Sequence, residues 1–193
     1  MKIVLFASAL LLGSGGIYAA TAYDAVPAAP LQKTEPDVIY VPTPPQVVDA
    51  MLDVAKLKDG DVLYDLGSGD GRIPIAAARR AKVRATGIDI DPERIAEANA
   101  NAKAAGVTGE VTFKQADLFA TDFSDATVVT LYLLPSLNEQ LKPRLLSELK
   151  PGTRIVSHAF TMGDWKPEQE IEVDGRRVYF WTVPKRGTTP ATK

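Results

Sequence analysis

The sequence predicts an open α/β sheet, mostly parallel, that ends in an antiparallel hairpin. Three observations carry this. Apolar runs rich in β-branched residues alternate with amphipathic stretches of helical length. Val62-Leu63-Tyr64 leads into a glycine-rich turn and then Ile73-Pro74-Ile75-Ala76-Ala77-Ala78, a strand–turn–helix unit. Near the end, Asp174-Gly175 separates two strand-like runs, the signal of a two-residue hairpin. A length of 193 residues suits one domain, and 46% hydrophobic content is enough for a packed core.

Pro42-Thr43-Pro44-Pro45 opens an amphipathic helix, Gln46 to Leu57, with Val47, Val48, Met51, Leu52 and Ala55 along one side. Thr43 and the prolines suit its start. Lys58-Asp59-Gly60-Asp61 turns into the first strand, and a second helix begins near Gly71. Val83 to Asp89 is the second strand. Asp91 caps the helix Pro92 to Ala105, with proline in its first turn. Val111 to Leu118 supplies the third strand and Ala126 to Leu133 the fourth, dense in β-branched residues. Leu137 to Leu149 is a helix stopped by Pro151-Gly152. Thr153 to His158 is the fifth strand, and Glu170–Val173 with Arg176–Val183 makes the hairpin. Right-handed crossovers put the carboxylates that end the parallel strands at one sheet edge. No length remains for a second domain, so a substrate meets an open face or a cap built from Tyr23 to Pro45.

The turn itself, Asp65-Leu66-Gly67-Ser68-Gly69-Asp70-Gly71, is the most informative stretch. Glycine allows positive φ and close approach of a ligand at the tip of a parallel sheet. The helix that follows directs free N–H groups and its positive dipole end at an anion. A dinucleotide fingerprint would need G-x-G-x-x-G, and the place of its third glycine is taken by Arg72. The D-x-G-x-G-x-G form, with Asp65 two residues before the first glycine, resembles motif I of class I S-adenosylmethionine-dependent methyltransferases. That resemblance implies a Rossmann-like sheet with S-adenosylmethionine as cofactor. Its loop would be formed by Gly67, Ser68, Gly69 and Gly71, with the methionine carboxylate at the helix start. Asp70 approaches the methionine amino group or satisfies the loop. Asp89 lies about 20 residues beyond the loop, where such folds set an acid on ribose hydroxyls, and a carboxylate can accept from two hydroxyls at once. In the third-strand motif Val111 to Leu118, Asp117 would accept from the adenine amino group and Leu118 would offer the neighbouring amide; an ordinary loop acid is the other reading of Asp117.

Composition narrows the chemistry. Net charge is −2, which leaves no basic footprint for non-specific nucleic-acid binding. The chain has no cysteine and one histidine, His158, so nothing in it indicates a metal site, a disulfide or a thiolate nucleophile. At the N-terminus Lys2 precedes an apolar run, Ile3 to Leu12, and Ala20-Thr21-Ala22 supplies a small-x-small cleavage signature. The run is short of the about 20 apolar residues that span a bilayer. A signal peptide over 1–22, with a secreted or periplasmic protein, is the first expectation; an uncleaved membrane anchor is the alternative. Residues 23–36 read as a flexible linker, 37–184 as the methyltransferase domain and 185–193 as a flexible tail.

Three segments narrow the resemblance further: Val38-Ile39-Tyr40-Val41-Pro42-Thr43-Pro44, the glycine turn through Ile73, and Tyr132-Leu133-Leu134-Pro135. Together they are similar to the small lysine methyltransferases that act on ATP synthase c-subunit and the adenine nucleotide translocator. This implies a protein lysine as methyl acceptor. Methyl transfer from a sulfonium is an in-line displacement, governed by alignment, and an apolar slot lowers the pKa of an entering lysine. Tyr132 is the candidate wall of that slot and Tyr40 or Thr43 the cap, while His158 is a candidate base. Arg72 is expected to bind an aspartate or the cap. A small-molecule O- or N-methyltransferase and a non-catalytic S-adenosylmethionine-binding protein are the rival readings.

Overall fold

The computed structural model describes residues 40–188 and 190–192. The signal or anchor, the linker and the start of the domain up to residue 39 lie outside the described residues. Eleven elements follow one another: α1 (Pro45–Val54), β1 (Val62–Leu66), α2 (Arg72–Arg80), β2 (Arg84–Asp89), α3 (Pro92–Ala105), β3 (Val111–Gln115), β4 (Val128–Leu131), α4 (Pro135–Glu148), β5 (Arg154–His158), β6 (Gln169–Val173) and β7 (Arg176–Thr182).

The seven strands form one sheet in the order β3-β2-β1-β4-β5-β7-β6. The first five pair in parallel, and β7 runs antiparallel to β5 and to β6. The expected Rossmann-like α/β sheet with its antiparallel hairpin is therefore observed. The hairpin turn places Asp174 at φ 50° and Gly175 at φ 71°, which matches the right-handed twist of the strands. Strand order reverses between β1 and β4, and that switch point opens a crevice at the carboxyl ends of the strands.

Two apolar layers cover the sheet. On one face Val47, Val48, Met51 and Leu52 of α1 meet Leu63, Val128, Val156 and Phe180. On the other, Leu141, Leu145 and Leu149 meet Leu66, Val129, Leu131, Ile155 and Trp181. Because strand side chains alternate, the same strands feed both layers, and their near-continuous apolar sequence follows.

Several expected boundaries shift. β3 stops at Gln115, so Asp117 and Leu118 stand in the loop beyond it. β4 stops at Leu131, where Leu133 turns inward and is buried over Gly67. α4 starts two residues earlier than expected, with Pro135 in its first turn, where a missing N–H costs nothing, and it carries Pro143 inside. Thr43 does not cap α1; the N-cap position is Pro44 and makes no side-chain bond. Asp91 does cap α3, accepting from Glu93 N at 2.8 Å. In the stretch expected as a loose tail, Arg186 donates to Leu146 O (3.0 Å) and Leu149 O (3.2 Å), satisfying carbonyls at the end of α4. Ala191 O accepts from Lys166 N at 2.9 Å.

Candidate functional site

A cavity of about 470 Å³ lies at the switch point, within the size range of small-molecule sites, about 300–1,000 Å³. Its walls come from the ends of β1, β2, β3 and β4 and from the segment before α1. Asp65, Gly67, Ser68, Asp70, Asp89, Asp117, Leu118, Tyr132, Tyr40 and Thr43 all line it. The sequence had put these residues on five separate segments, and the fold brings them together.

The glycine turn is held from below. Gly67 N and Ser68 N both donate to Ile88 O, at 2.8 and 2.9 Å, and Gly71 N donates to Ser68 O at 3.0 Å. Asn101 Nδ2 holds Asp70 O at 3.0 Å. Gly69 has φ +53°, and a Cβ there would stand 2.2 Å from the Tyr40 ring, so only glycine admits the cap this close. Ser68 Oγ is buried in the wall without a partner among the described residues, an atom of the kind that a ligand satisfies.

The start of α2 differs from expectation. Its Arg72 N–H does not stand free for a ligand carboxylate, because Asp70 Oδ1 accepts from it at 3.2 Å. The Arg72 guanidinium grips the same carboxylate with Nε at 2.9 Å and Nη2 at 2.6 Å, and gives Nη1 to Thr43 O at 2.8 Å. Burial favours a neutral Asp70, but Arg72 outweighs it and holds the carboxyl below its usual range. Arg72 thus binds both the aspartate and the cap, and Asp70 is the chain's own anion at the helix N-terminus.

Asp89 joins two loops. Its Oδ2 accepts from Gly69 N at 2.7 Å and its Oδ1 from Asp91 N at 3.0 Å, and each oxygen keeps a further lone pair for a ligand. Asp117 Oδ1 accepts from Phe119 N at 2.8 Å, which fixes the loop that presents Leu118. Asp65 is fully enclosed and accepts from Thr130 Oγ1 at 2.7 Å. Burial, with Asp89 and Asp70 nearby, pushes its carboxyl up to about 7 against the Thr130 bond.

Tyr132 gives the same cavity an aromatic wall, and Leu133, Leu137, Val41 and Pro42 line it too. Its ring centroid is 3.9 Å from that of His158 and 6.3 Å from that of Phe160. His158 itself does not reach the cavity. It is completely buried behind Tyr132, with Nδ1 at 3.2 Å from Thr43 Oγ1. Burial and the charge of Arg176 push its pKa down to about 4, so it is a weak base with no path to a substrate. The reading of His158 as the base is corrected on those grounds. Among the described residues, no group of three His, Asp or Glu side chains is arranged to hold a metal ion.

Sequence reasoning passed over Ile73, Ile90, Arg94, Ala116 and Phe119, which also line the cavity. Ile90 had a readable signal, being the apolar residue directly after the strand-ending Asp89. Arg94 had none: its place over the Tyr40 ring, 5.1 Å from the centroid, depends on where α3 meets the cap. The walls suit a ligand with positive charge for Asp65, hydroxyls for Asp89 and a flat apolar part against Ile90, Ala116 and Leu118.

Comparisons with known proteins agree with this geometry. Residues 65–169, more than half of the chain, match the family model of the ANTKMT methyltransferase domain. A protein-lysine N-methyltransferase of Saccharolobus islandicus (strain REY15A) is 51% identical over 153 residues, covering 77% of this chain and 95% of that protein. The mouse adenine nucleotide translocase lysine N-methyltransferase is 32% identical over 152 residues, covering 79% of this chain and 66% of that protein. The crystal structure of an RNA methyltransferase from Salinibacter ruber, in complex with S-adenosyl-L-homocysteine, is 53% identical with a TM-score of 0.76, covering 79% of this chain and all of that one. A fold, a cavity and relatives that agree this closely make the chain a member of the ANTKMT methyltransferase domain family.

Proposed function

We propose that this chain is an S-adenosylmethionine-dependent protein-lysine N-methyltransferase. The observation that carries the reading is a single cavity with two kinds of lining. Carboxylates and the glycine turn supply one kind, aromatic and apolar residues the other, and the chain's one histidine is buried away from it. S-adenosylmethionine, when bound, supplies a methyl group on a sulfonium. Asp89 is the acceptor for its ribose hydroxyls, Asp117 and the Leu118 amide for its adenine edge, and Ser68 Oγ and the turn for its methionine end. Tyr132, Leu133, Val41 and Pro42 shield an incoming amine from water, which favours the neutral, nucleophilic form of lysine. Alignment then supplies much of the rate.

The name carried by the Salinibacter structure supports RNA as a second acceptor class. Charge favours the protein. The chain is net negative, and both arginines of the cavity are paired, Arg72 with Asp70 and Arg94 with Asp91 and Glu97. An RNA track needs unpaired cations along the backbone path. Incubation of the protein with methyl-labelled cofactor and either lysine-bearing proteins or RNA decides between them. Label is expected on lysine side chains by mass spectrometry. Label in RNA with none on protein would overturn the acceptor assignment, and no label on anything would overturn the enzyme.

Asp65 gives the cofactor site a pH signature. Its raised pKa keeps it protonated in the free protein up to about pH 7. A cation placed beside it favours the carboxylate, so binding below that pH releases a proton and affinity rises with pH toward 7. Calorimetry at pH 6 in two buffers of different ionisation heat is expected to show this release. Asp65→Asn removes it, and a buffer-independent heat in the wild type would contradict it.

A further inference from the structure

We infer that His158 is a positioning residue that joins the cap, through Thr43, to the Tyr132 wall and so sets the shape of the acceptor entrance. This rests on the lysine-methyltransferase reading of the site. Three features carry it.

The first is connectivity. Thr43 is held twice: Arg72 donates to its carbonyl at 2.8 Å, and its hydroxyl lies 3.2 Å from His158 Nδ1. Arg72 is anchored on Asp70 in the glycine turn, while His158 lies against Tyr132 with centroids 3.9 Å apart. A continuous line therefore runs Asp70–Arg72–Thr43–His158–Tyr132, from the cofactor turn to the acceptor wall.

The second is the chemistry of the buried ring. His158 has no solvent exposure and its Nε2 has no partner among the described residues. Burying an unpaired polar atom is unfavourable, and phenylalanine would fill similar space without that cost. What histidine adds is the bond to Thr43. Burial keeps the ring neutral through the physiological range, so the bond is not lost to protonation.

The third is the backbone that follows. Ala159 is held at φ +65°, a conformation that is costly for a residue with a Cβ. The turn it makes, with Phe160 N donating to His158 O at 2.8 Å, lays Phe160 near the Tyr132 ring at an interplanar angle of 22°. Tyr132 is thereby braced by two aromatic rings from one short turn.

His158 is the only histidine in the chain, so its ring signals in an NMR spectrum need no assignment by mutation. Thr43→Val is expected to shift the His158 ring nitrogen signals, and Thr43→Ser to restore them. In turnover, Thr43→Val and His158→Phe each lower kcat/KM for a lysine acceptor by about three- to tenfold, the weight of one hydrogen bond, with cofactor Kd within about twofold of wild type. The double variant is no worse than either single one, since both break the same link. Ring signals that ignore Thr43→Val, additive losses in the double variant, or a parallel loss of cofactor affinity would each overturn the assignment. A wild type that turns over no lysine acceptor overturns the proposed function instead, and the NMR comparison then still decides whether Thr43 holds His158.

Discussion

Replacing Asp89 with alanine is expected to weaken S-adenosylmethionine binding by about 10²- to 10⁴-fold. Hydrogen bonds to a charged group contribute about 1.5–3 kcal/mol each. A ribose diol held by one carboxylate therefore accounts for about 3–6 kcal/mol, and each 1.36 kcal/mol is tenfold. Asp89 has a second task, since its two oxygens tie Gly69 N and Asp91 N together. Alanine loses both tasks. Asparagine keeps one acceptor oxygen and is expected to fall between alanine and wild type. Calorimetric titration of the full chain, beside a circular dichroism spectrum that shows the variants folded, checks this. A folded Asp89→Ala protein that binds within threefold of wild type would remove Asp89 from the cofactor site.

The gathering of the glycine turn and the strand-ending acids was readable because it is tied to local sequence. Strand, glycine turn and helix are consecutive in the chain, and a parallel sheet brings each strand-ending acid to the same edge. Asp65, Asp89 and Asp117 line one cavity for that reason. The surroundings of Tyr132 were only partly readable. Tyr132 could be expected at the cavity because it lies near the end of the run read as the fourth strand, but the depth of His158 could not. Whether the last residue of a strand reaches solvent depends on what packs across it, here Thr43 from more than a hundred residues away and the Tyr132 ring. The Asp70 carboxylate on the Arg72 N–H at the α2 N-terminus was unreadable for the same kind of reason. Motif spacing says that a carboxylate belongs there, and the chain supplies its own through Asp70 and Arg72. Gly87 shows a further limit. A Cβ there would lie 2.5 Å from the Phe113 ring and 2.7 Å from Ser68 Oγ, so it is the space over which the turn closes, set by residues distant in the chain.

Far from the cavity, Arg154→Ala is expected to cost about 3–5 kcal/mol of stability at pH 7, the range for removing one partner of a buried ion pair. Asp61 is buried at the start of β1 and bonds the Arg154 guanidinium. The same guanidinium donates to Ala55 O (2.8 Å) and Lys56 O (2.9 Å), fastening the end of α1 to the sheet. Lysine, a single point charge, cannot reach all three, so Arg154→Lys recovers only part of the loss. The pH dependence separates this pair from simple loss of packing. Burial raises the Asp61 pKa, but bonds from Arg154, Lys58 N and Thr127 outweigh it and leave the carboxyl below its usual range. A depressed carboxylate contributes stability above its unfolded pKa of about 3.9 and loses it as pH falls through the folded value. Without Arg154 the buried carboxylate favours its proton, and protonation relieves the variant. The gap between wild type and Arg154→Ala therefore narrows as pH drops from 7 to 4. Urea denaturation at the two pH values measures it. A gap below about 1 kcal/mol at pH 7, the size of an exposed ion pair, or one that does not change with pH, would mean that Asp61 is carried by Lys58 N and Thr127 without the arginine.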